Sequence, residues 1–254
     1  MYNDLFSIGP FTIHGYGLMI GIGVMAALFT GDKRAQKRGM NGDLIYGMTI
    51  VAVVLGFMAA RVLFIITEFS NFLKNPMEYI TGSGFVVFGG IMGGILSVIG
   101  YCKLKKVNAV DYIDLMAPSV ALAQGFGRLG CLLAGCCYGR ETTSKIGIIF
   151  THSSFAPNGV RLLPTQIMMS VGDFIIAAIL FIYASKPRKK GQTTFLWLAL
   201  YSIGRFFVEF FRNDYRGSIG PLSTSQFIGI WVLIAAVLGY FYLVPVFEKN
   251  KAED

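Results

Sequence analysis

Seven apolar stretches, at residues 16–30, 44–66, 84–100, 112–133, 167–185, 194–211 and 225–246, dominate this 254-residue chain. A helix needs about 20 such residues to cross roughly 30 Å of hydrocarbon, and backbone groups in lipid must find their hydrogen bonds within the chain. The expected fold is therefore an all-α polytopic membrane protein with seven transmembrane helices. The first stretch is short and is extended to Ala35, with Lys33 and Arg34 snorkelling to the interface. Hydrophobic residues make up 54% of the chain and charged ones 14%, and the mean hydropathy is +0.61. That leaves no room for a soluble domain, so 1–254 is expected to be a single integral membrane domain. No Lys or Arg precedes Lys33. The first span thus lacks the positive flank of a cleaved signal peptide and is expected to be retained.

Basic residues between spans set the expected orientation, because Lys and Arg stay cytoplasmic. One set of connections holds Lys33, Arg34, Lys37, Arg38, Lys103, Lys105, Lys106, Lys186, Arg188, Lys189, Lys190, Lys249 and Lys251. The opposite set holds only Lys74, Arg140, Lys145, Arg161, Arg212 and Arg216. The N-terminus is expected outside and the C-terminus in the cytoplasm. The net charge of +8 then belongs to flanks facing an anionic leaflet, and no nucleic-acid partner is expected.

Three further arginines, Arg61, Arg128 and Arg205, fall inside spans. Arg128 lies in the stretch 125–139, GFGRLGCLLAGCCYG, where five glycines and three cysteines suggest close approach by a neighbouring helix or a ligand. On the expected topology each arginine sits five or six residues from the outer end of its helix, about 8–9 Å deep at 1.5 Å per residue. An arginine in a bilayer costs about 2.5–3.5 kcal/mol on insertion scales and marks a functional site by default. Glu209, four residues after Arg205 on the same face, reads as the only intramembrane acid at that level. One acid cannot neutralise three cations, which points to an anionic ligand. Guanidinium forks match phosphate oxygens bidentately, and a phospholipid delivers its phosphate near this depth. Tyr16 reaches the same level, either as part of the site or as an interfacial aromatic anchor.

These residues resemble those of the bacterial prolipoprotein diacylglyceryl transferases over Phe6 to about Ile230. The matching pieces are Ser7-Ile8-Gly9-Pro10 followed by His14-Gly15-Tyr16-Gly17, Ala60-Arg61, Gly89-Gly90, Asp114 with Ala117-Pro118, and Gln124 leading into Gly127-Arg128-Leu129-Gly130. They continue with Gly135, Gly139, Pro164-Thr165, Gly204-Arg205 through Glu209 and Arg212, and Ser223 with Gln226. The resemblance implies seven transmembrane helices in the plasma (inner) membrane, with an active site facing the outer leaflet. It implies transfer of the diacylglyceryl group of phosphatidylglycerol to the lipobox cysteine of a prolipoprotein signal peptide, leaving glycerol phosphate, without metal or organic cofactor. Arg128 and Arg205 would hold the phosphate, Tyr16 would orient the head group and Glu209 would fix Arg205. Arg61 would add a supporting charge, and Gly130, Cys131, Gly139 and Arg212 would line the substrate site.

Departures from the family pattern leave alternatives open. Phe88 stands where histidine is usual before Gly-Gly, Cys131 and Cys136 stand for an asparagine and an acid, and Met169 stands where an acidic residue is common. No base for the substrate thiol is assigned by these matches; His14 is the nearest candidate. A nucleophilic cysteine attacking the glyceryl carbon would form a thioether, a poor leaving group, whereas a thioester would turn over. A membrane acyltransferase using Cys131 or Cys136 is therefore one alternative, and a non-enzymatic lipid-binding or transport protein is the other. Three thiols without a neighbouring histidine fall short of a four-ligand zinc site, so no metal is expected.

Overall fold

In the computed structural model, residues 4–8, 11–82, 84–214 and 217–253 are described. Gly9, Pro10 and Arg216, used above, lie outside the described residues. Strands β1 (Asp4–Ile8) and β2 (Phe11–His14) form an antiparallel hairpin. It leads directly into α1 (Gly15–Lys37), followed by α2 (Asp43–Thr67), short helices α3 (Phe69–Phe72) and α4 (Pro76–Thr81), α5 (Val87–Leu104) and α6 (Ala109–Ala134). After α6 come the two-residue strands β3 (Ile148–Ile149) and β4 (Arg161–Leu162), then α7 (Thr165–Tyr183) and α8 (Gln192–Glu209). A second short hairpin, β5 (Ser218–Ile219) and β6 (Leu222–Ser223), precedes α9 (Thr224–Leu238), a π-helical turn (Gly239–Leu243) and α10 (Val244–Glu253).

Each of the seven expected stretches contains a long helix. Among the described residues, five helical segments are long and apolar enough to cross a membrane: Gly15–Lys37, Asp43–Thr67, Val87–Leu104, Thr165–Tyr183 and Thr224–Glu248. The protein is a mostly helical membrane protein. The other two stretches are α6 and α8, which carry Asp111, Asp114, Gln124 and Arg128, and Arg205 and Glu209, respectively.

The chain forms two compact units. In the unit Gly31–Tyr112, α2 packs on α5 through small residues that let the backbones touch. A side chain at Gly89 would meet the Ala59 carbonyl at 2.6 Å and the Leu63 Cβ at 2.8 Å, and one at Gly56 would meet the Gly90 carbonyl at 3.2 Å. Close backbone approach is the usual basis of helix association in lipid, where no hydrophobic force separates helix from tail.

The other unit comprises Met1–Thr30 and Ile113–Asp254. Here α6 is tied to its neighbours by buried polar bonds. Ser170 Oγ on α7 donates to the Gly125 carbonyl at 2.9 Å, and Trp197 Nε1 on α8 donates to Gln124 Oε1 at 3.2 Å. The Asp114 carboxylate accepts from the Thr194 backbone N–H at 2.8 Å and from Thr194 Oγ1 at 3.0 Å. That contact satisfies an orphan donor at the start of α8, where Gly191 supplies no side-chain cap. α9 begins with a capping box: Ser223 Oγ accepts from the Gln226 N–H and Gln226 Oε1 from the Ser223 N–H, each at 3.1 Å. The connection 140–163 carries its own apolar core of Phe150, Ala156 and Leu162.

Candidate phosphate-binding site

The last two turns of α6 and of α8 bring the site together. Arg128 Nη2 donates to Tyr201 Oη at 3.1 Å, and Tyr201 precedes Arg205 by one turn on the same face of α8. The tyrosine thus links α6 to the helix that carries Arg205. Arg205 is ion-paired through Nη1 with Glu209 Oε2 and donates from Nη2 to Ser225 Oγ at 2.9 Å. Their side chains are 10% and 7% exposed, so the pair is desolvated and breaking it is expensive.

Glu209 is shared. Its Oε2 also lies 3.7 Å from Arg212 Nε, while Arg212 makes a bidentate pair with Asp214, Nε to Oδ1 at 2.9 Å and Nη2 to Oδ2 at 2.6 Å. Met169 faces Arg212 Nη1 through Sδ at 3.8 Å, and the Arg212 charge is answered by Asp214 and Glu209. Arg212 also anchors the chain behind the site: it pairs with Gly139 in an isolated antiparallel bridge, and Arg140 N donates to the Phe211 carbonyl at 2.9 Å.

One expectation is corrected. Glu209 is not the only acid at the level of the arginines, because Asp173 on α7, 4% exposed, places Oδ2 3.8 Å from Arg128 Nε. That separation gives Coulomb attraction but no hydrogen bond, and Asp173 Oδ2 has no hydrogen-bond partner among the described residues. Arg128 therefore has a counter-charge without having its N–H donors filled. Of five such donors, the described bonds occupy one. An anion with several oxygens suits this arrangement.

The N-terminal candidates divide. Tyr16, in the first turn of α1, packs against Gly130, where an added Cβ would stand 3.1 Å from Tyr16 Cδ2 and 3.3 Å from Met19 Cβ. The missing side chain at Gly130 is what lets α1 approach α6 beside Arg128. His14 ends β2, is exposed and precedes Tyr16 by two residues. Gly139 is enclosed more tightly: a Cβ there would meet the Leu163 carbonyl at 2.6 Å. Arg61 belongs to the unit Gly31–Tyr112. It donates from Nη1 to the Gly84 carbonyl at 2.6 Å, and its guanidinium lies over the Phe85 and Phe64 rings at 5.2 and 5.7 Å. These contacts tie the end of α2 to the chain entering α5.

Cys131 lies in the last turn of α6 and is buried, as is Cys137, while Cys136 is half-buried. Sulfur contacts with Cys131 and Cys137, together with burial, push the Cys136 thiol well above the usual thiol range. A neutral thiol is a poor nucleophile. Tyr201, Asp173, Ser225 and Asp214 escaped sequence reasoning. A spacing signal existed for Asp173, which lies about as far inside α7 as Arg128 lies inside α6.

A family model described as prolipoprotein diacylglyceryl transferase matches residues 3–242. Among similar proteins, a phosphatidylglycerol–prolipoprotein diacylglyceryl transferase 2 of Clostridium perfringens is 51% identical over 231 residues, covering 90% of each chain. The phosphatidylglycerol–prolipoprotein diacylglyceryl transferase of Clostridium tetani is 46% identical over 248 residues, covering 97% of this chain and 98% of that one. One of the same name from Staphylococcus aureus is 30% identical over 239 residues, covering 91% and 85%. On matches of this extent and identity, the chain belongs to the prolipoprotein diacylglyceryl transferase family.

Proposed function

We propose that this protein transfers the diacylglyceryl group of phosphatidylglycerol to the lipobox cysteine thiol of a prolipoprotein, forming a thioether and releasing glycerol phosphate. The observation that carries the mechanism is Arg128 bonded to Tyr201 of α8, one turn before Arg205, with Asp173 and Glu209 as the counter-charges of the two arginines. As the substrate thiolate attacks the glyceryl carbon, the carbon–oxygen bond to phosphate breaks and its electron pair stays on the departing phosphate. Fixed cations in a water-poor site stabilise that growing charge without reorganising. Arg128 has donors left for phosphate oxygens, and Arg205 is oriented by Glu209 and Ser225. Tyr16 is placed to orient the head group, with Gly130, Cys131 and Gly139 shaping the wall beside it. Arg212 acts through Glu209 as a positioning residue, and His14 is the candidate base for the incoming thiol.

The same reading places seven helices across the plasma membrane, the N-terminus outside, the C-terminus in the cytoplasm and the site toward the outer leaflet. It is supported by the excess of basic residues on one set of connections and by α6 and α8. These two helices are less apolar because they carry the proposed phosphate ligands. The whole chain, 1–254, would act as one integral membrane domain.

The test is mass spectrometry of a lipobox peptide incubated with the protein and phosphatidylglycerol. A diacylglyceryl thioether on the cysteine, with glycerol phosphate released, is the expected result. An acyl adduct, passing through a thioester on Cys131 or Cys136, would replace the reading with an acyltransferase. An unmodified peptide with lipid still bound would favour a binding or transport role.

A further inference from the structure

Beyond the phosphate site, the outer end of α6 gathers three thiols into one cluster. The Sγ atoms of Cys131, Cys136 and Cys137 all lie within 4.8 Å of one another, with Cys136 and Cys137 at 3.7 Å. Neighbouring residues do not ordinarily direct their side chains to one point. Here Cys137 adopts a positive φ of 62° directly after the turn at Gly135 (φ 77°), a conformation uncommon for a residue with a side chain. Two buried residues at the start of α7 hold it there. Thr165 Oγ1 donates to the Cys137 carbonyl at 2.7 Å and Gln166 Nε2 to the Cys136 carbonyl at 2.8 Å. Gln166 is 1% exposed, yet its Oε1 has no hydrogen-bond partner among the described residues.

We propose that Cys131, Cys136 and Cys137 bind one thiophilic divalent cation of the zinc class, as three thiolates with a fourth position open. Zinc–sulfur bonds of about 2.3 Å in tetrahedral array place the sulfurs about 3.8 Å apart. The Cys136–Cys137 separation already matches that edge, and the other two pairs lie within 4.8 Å. Three ligands are short of a closed structural site, the objection the sequence raised, but they are the number an open site uses. Three thiolates and a divalent cation carry one net negative charge, and the Arg128 guanidinium, three residues before Cys131 on α6, interacts electrostatically with Cys131 and Cys137. The unpartnered Gln166 oxygen, on the amide that binds Cys136, is an acceptor suited to a metal-bound water. A disulfide fits less well. It would leave one buried thiol over, and adjacent residues have Cα atoms about 3.8 Å apart, below the usual 4.4–6.8 Å of a disulfide. Binding converts thiols to thiolates and releases up to three protons to solvent, with no change of oxidation state.

The full-length protein, reduced and embedded in lipid nanodiscs, is titrated with Co2+ as a spectroscopic probe. The expected result is thiolate-to-cobalt charge-transfer absorption saturating at one equivalent, abolished by added Zn2+ and formed at lower Co2+ concentration as pH rises. Cys102→Ser should keep the band and the double variant Cys136→Ser/Cys137→Ser should lose it. Because the double variant can fail by misfolding, the unaltered protein is also alkylated with a small maleimide and mapped by mass spectrometry. Zn2+ should slow labelling at 131, 136 and 137 several-fold and leave Cys102 unchanged. No charge-transfer band, no protection by zinc, or a disulfide among these cysteines in protein trapped directly from membranes would overturn the proposal. These readouts do not depend on transfer activity, so the two claims fail independently.

Discussion

Replacing Glu209 by glutamine removes one negative charge at the point where two buried arginines meet. Arg212 keeps its bidentate Asp214 partner; Arg205 keeps only the hydroxyl of Ser225. The loss therefore falls on Arg205. Removing one partner of a buried ion pair costs about 3–5 kcal/mol, because the remaining charge stays desolvated. The glutamine retains an oxygen that accepts from the guanidinium, so the expected loss is near the lower end, about 3 kcal/mol. Purified Glu209→Gln should melt at a clearly lower temperature in detergent, and its transfer rate should fall even at temperatures where it is fully folded, since Arg205 is no longer aimed. Adding Arg205→Gln to Glu209→Gln removes the orphaned charge and should restore much of the stability while leaving transfer low. The reasoning is refuted by a Glu209→Gln protein with unaltered melting whose pH–rate profile alone is shifted. That result would make Glu209 an acid–base group.

Other perturbations separate the remaining contacts. Asp173→Asn takes away the counter-charge 3.8 Å from Arg128, so the lipid-free protein should lose stability, and anionic phospholipid should raise its melting temperature more than it raises that of the parent; equal shifts would mean Arg128 does not meet lipid phosphate. Gly139→Ala drives a Cβ to 2.6 Å from the Leu163 carbonyl and should cost about 1–3 kcal/mol, whereas Gly17→Ala, with nothing within 4 Å, should melt like the parent.

The helices were legible because a bilayer demands long apolar runs: each of the seven runs holds a helix, and five of these are long and apolar enough to cross a membrane. Their ends were less so. The last helix runs past residue 246 to Glu253, and the β1–β2 hairpin before α1 shows only four alternating residues, Phe11 to His14, too short a signal to read as a strand. Gly239 sits against the Phe195 ring, where the α9 helix passes into a π turn, a tertiary contact that no local pattern reveals. The arginines stood out because charge is rare in such a chain; Asp173 is equally rare but was masked by the apolar run around it. Tyr201 was missed for a different reason, since an aromatic residue in a span counts as apolar until its hydroxyl is seen to accept from Arg128. The cysteines were visible at once, and only the turn that points Cys136 and Cys137 the same way makes them a cluster.

Arg128→Lys tests the central claim most directly, because it keeps the positive charge and removes the fork. A lysine point charge cannot serve two phosphate oxygens while bonding Tyr201 and facing Asp173. The assay is the rate of thioether formation on a lipobox peptide at saturating phosphatidylglycerol, measured on protein whose melting confirms that it is folded. Loss of one preorganised donor to a developing anion typically costs a factor of about 10²–10³ in rate, and a fall of that size is expected here. A folded Arg128→Lys protein that transfers at the parental rate would contradict the assignment of the phosphate to this guanidinium.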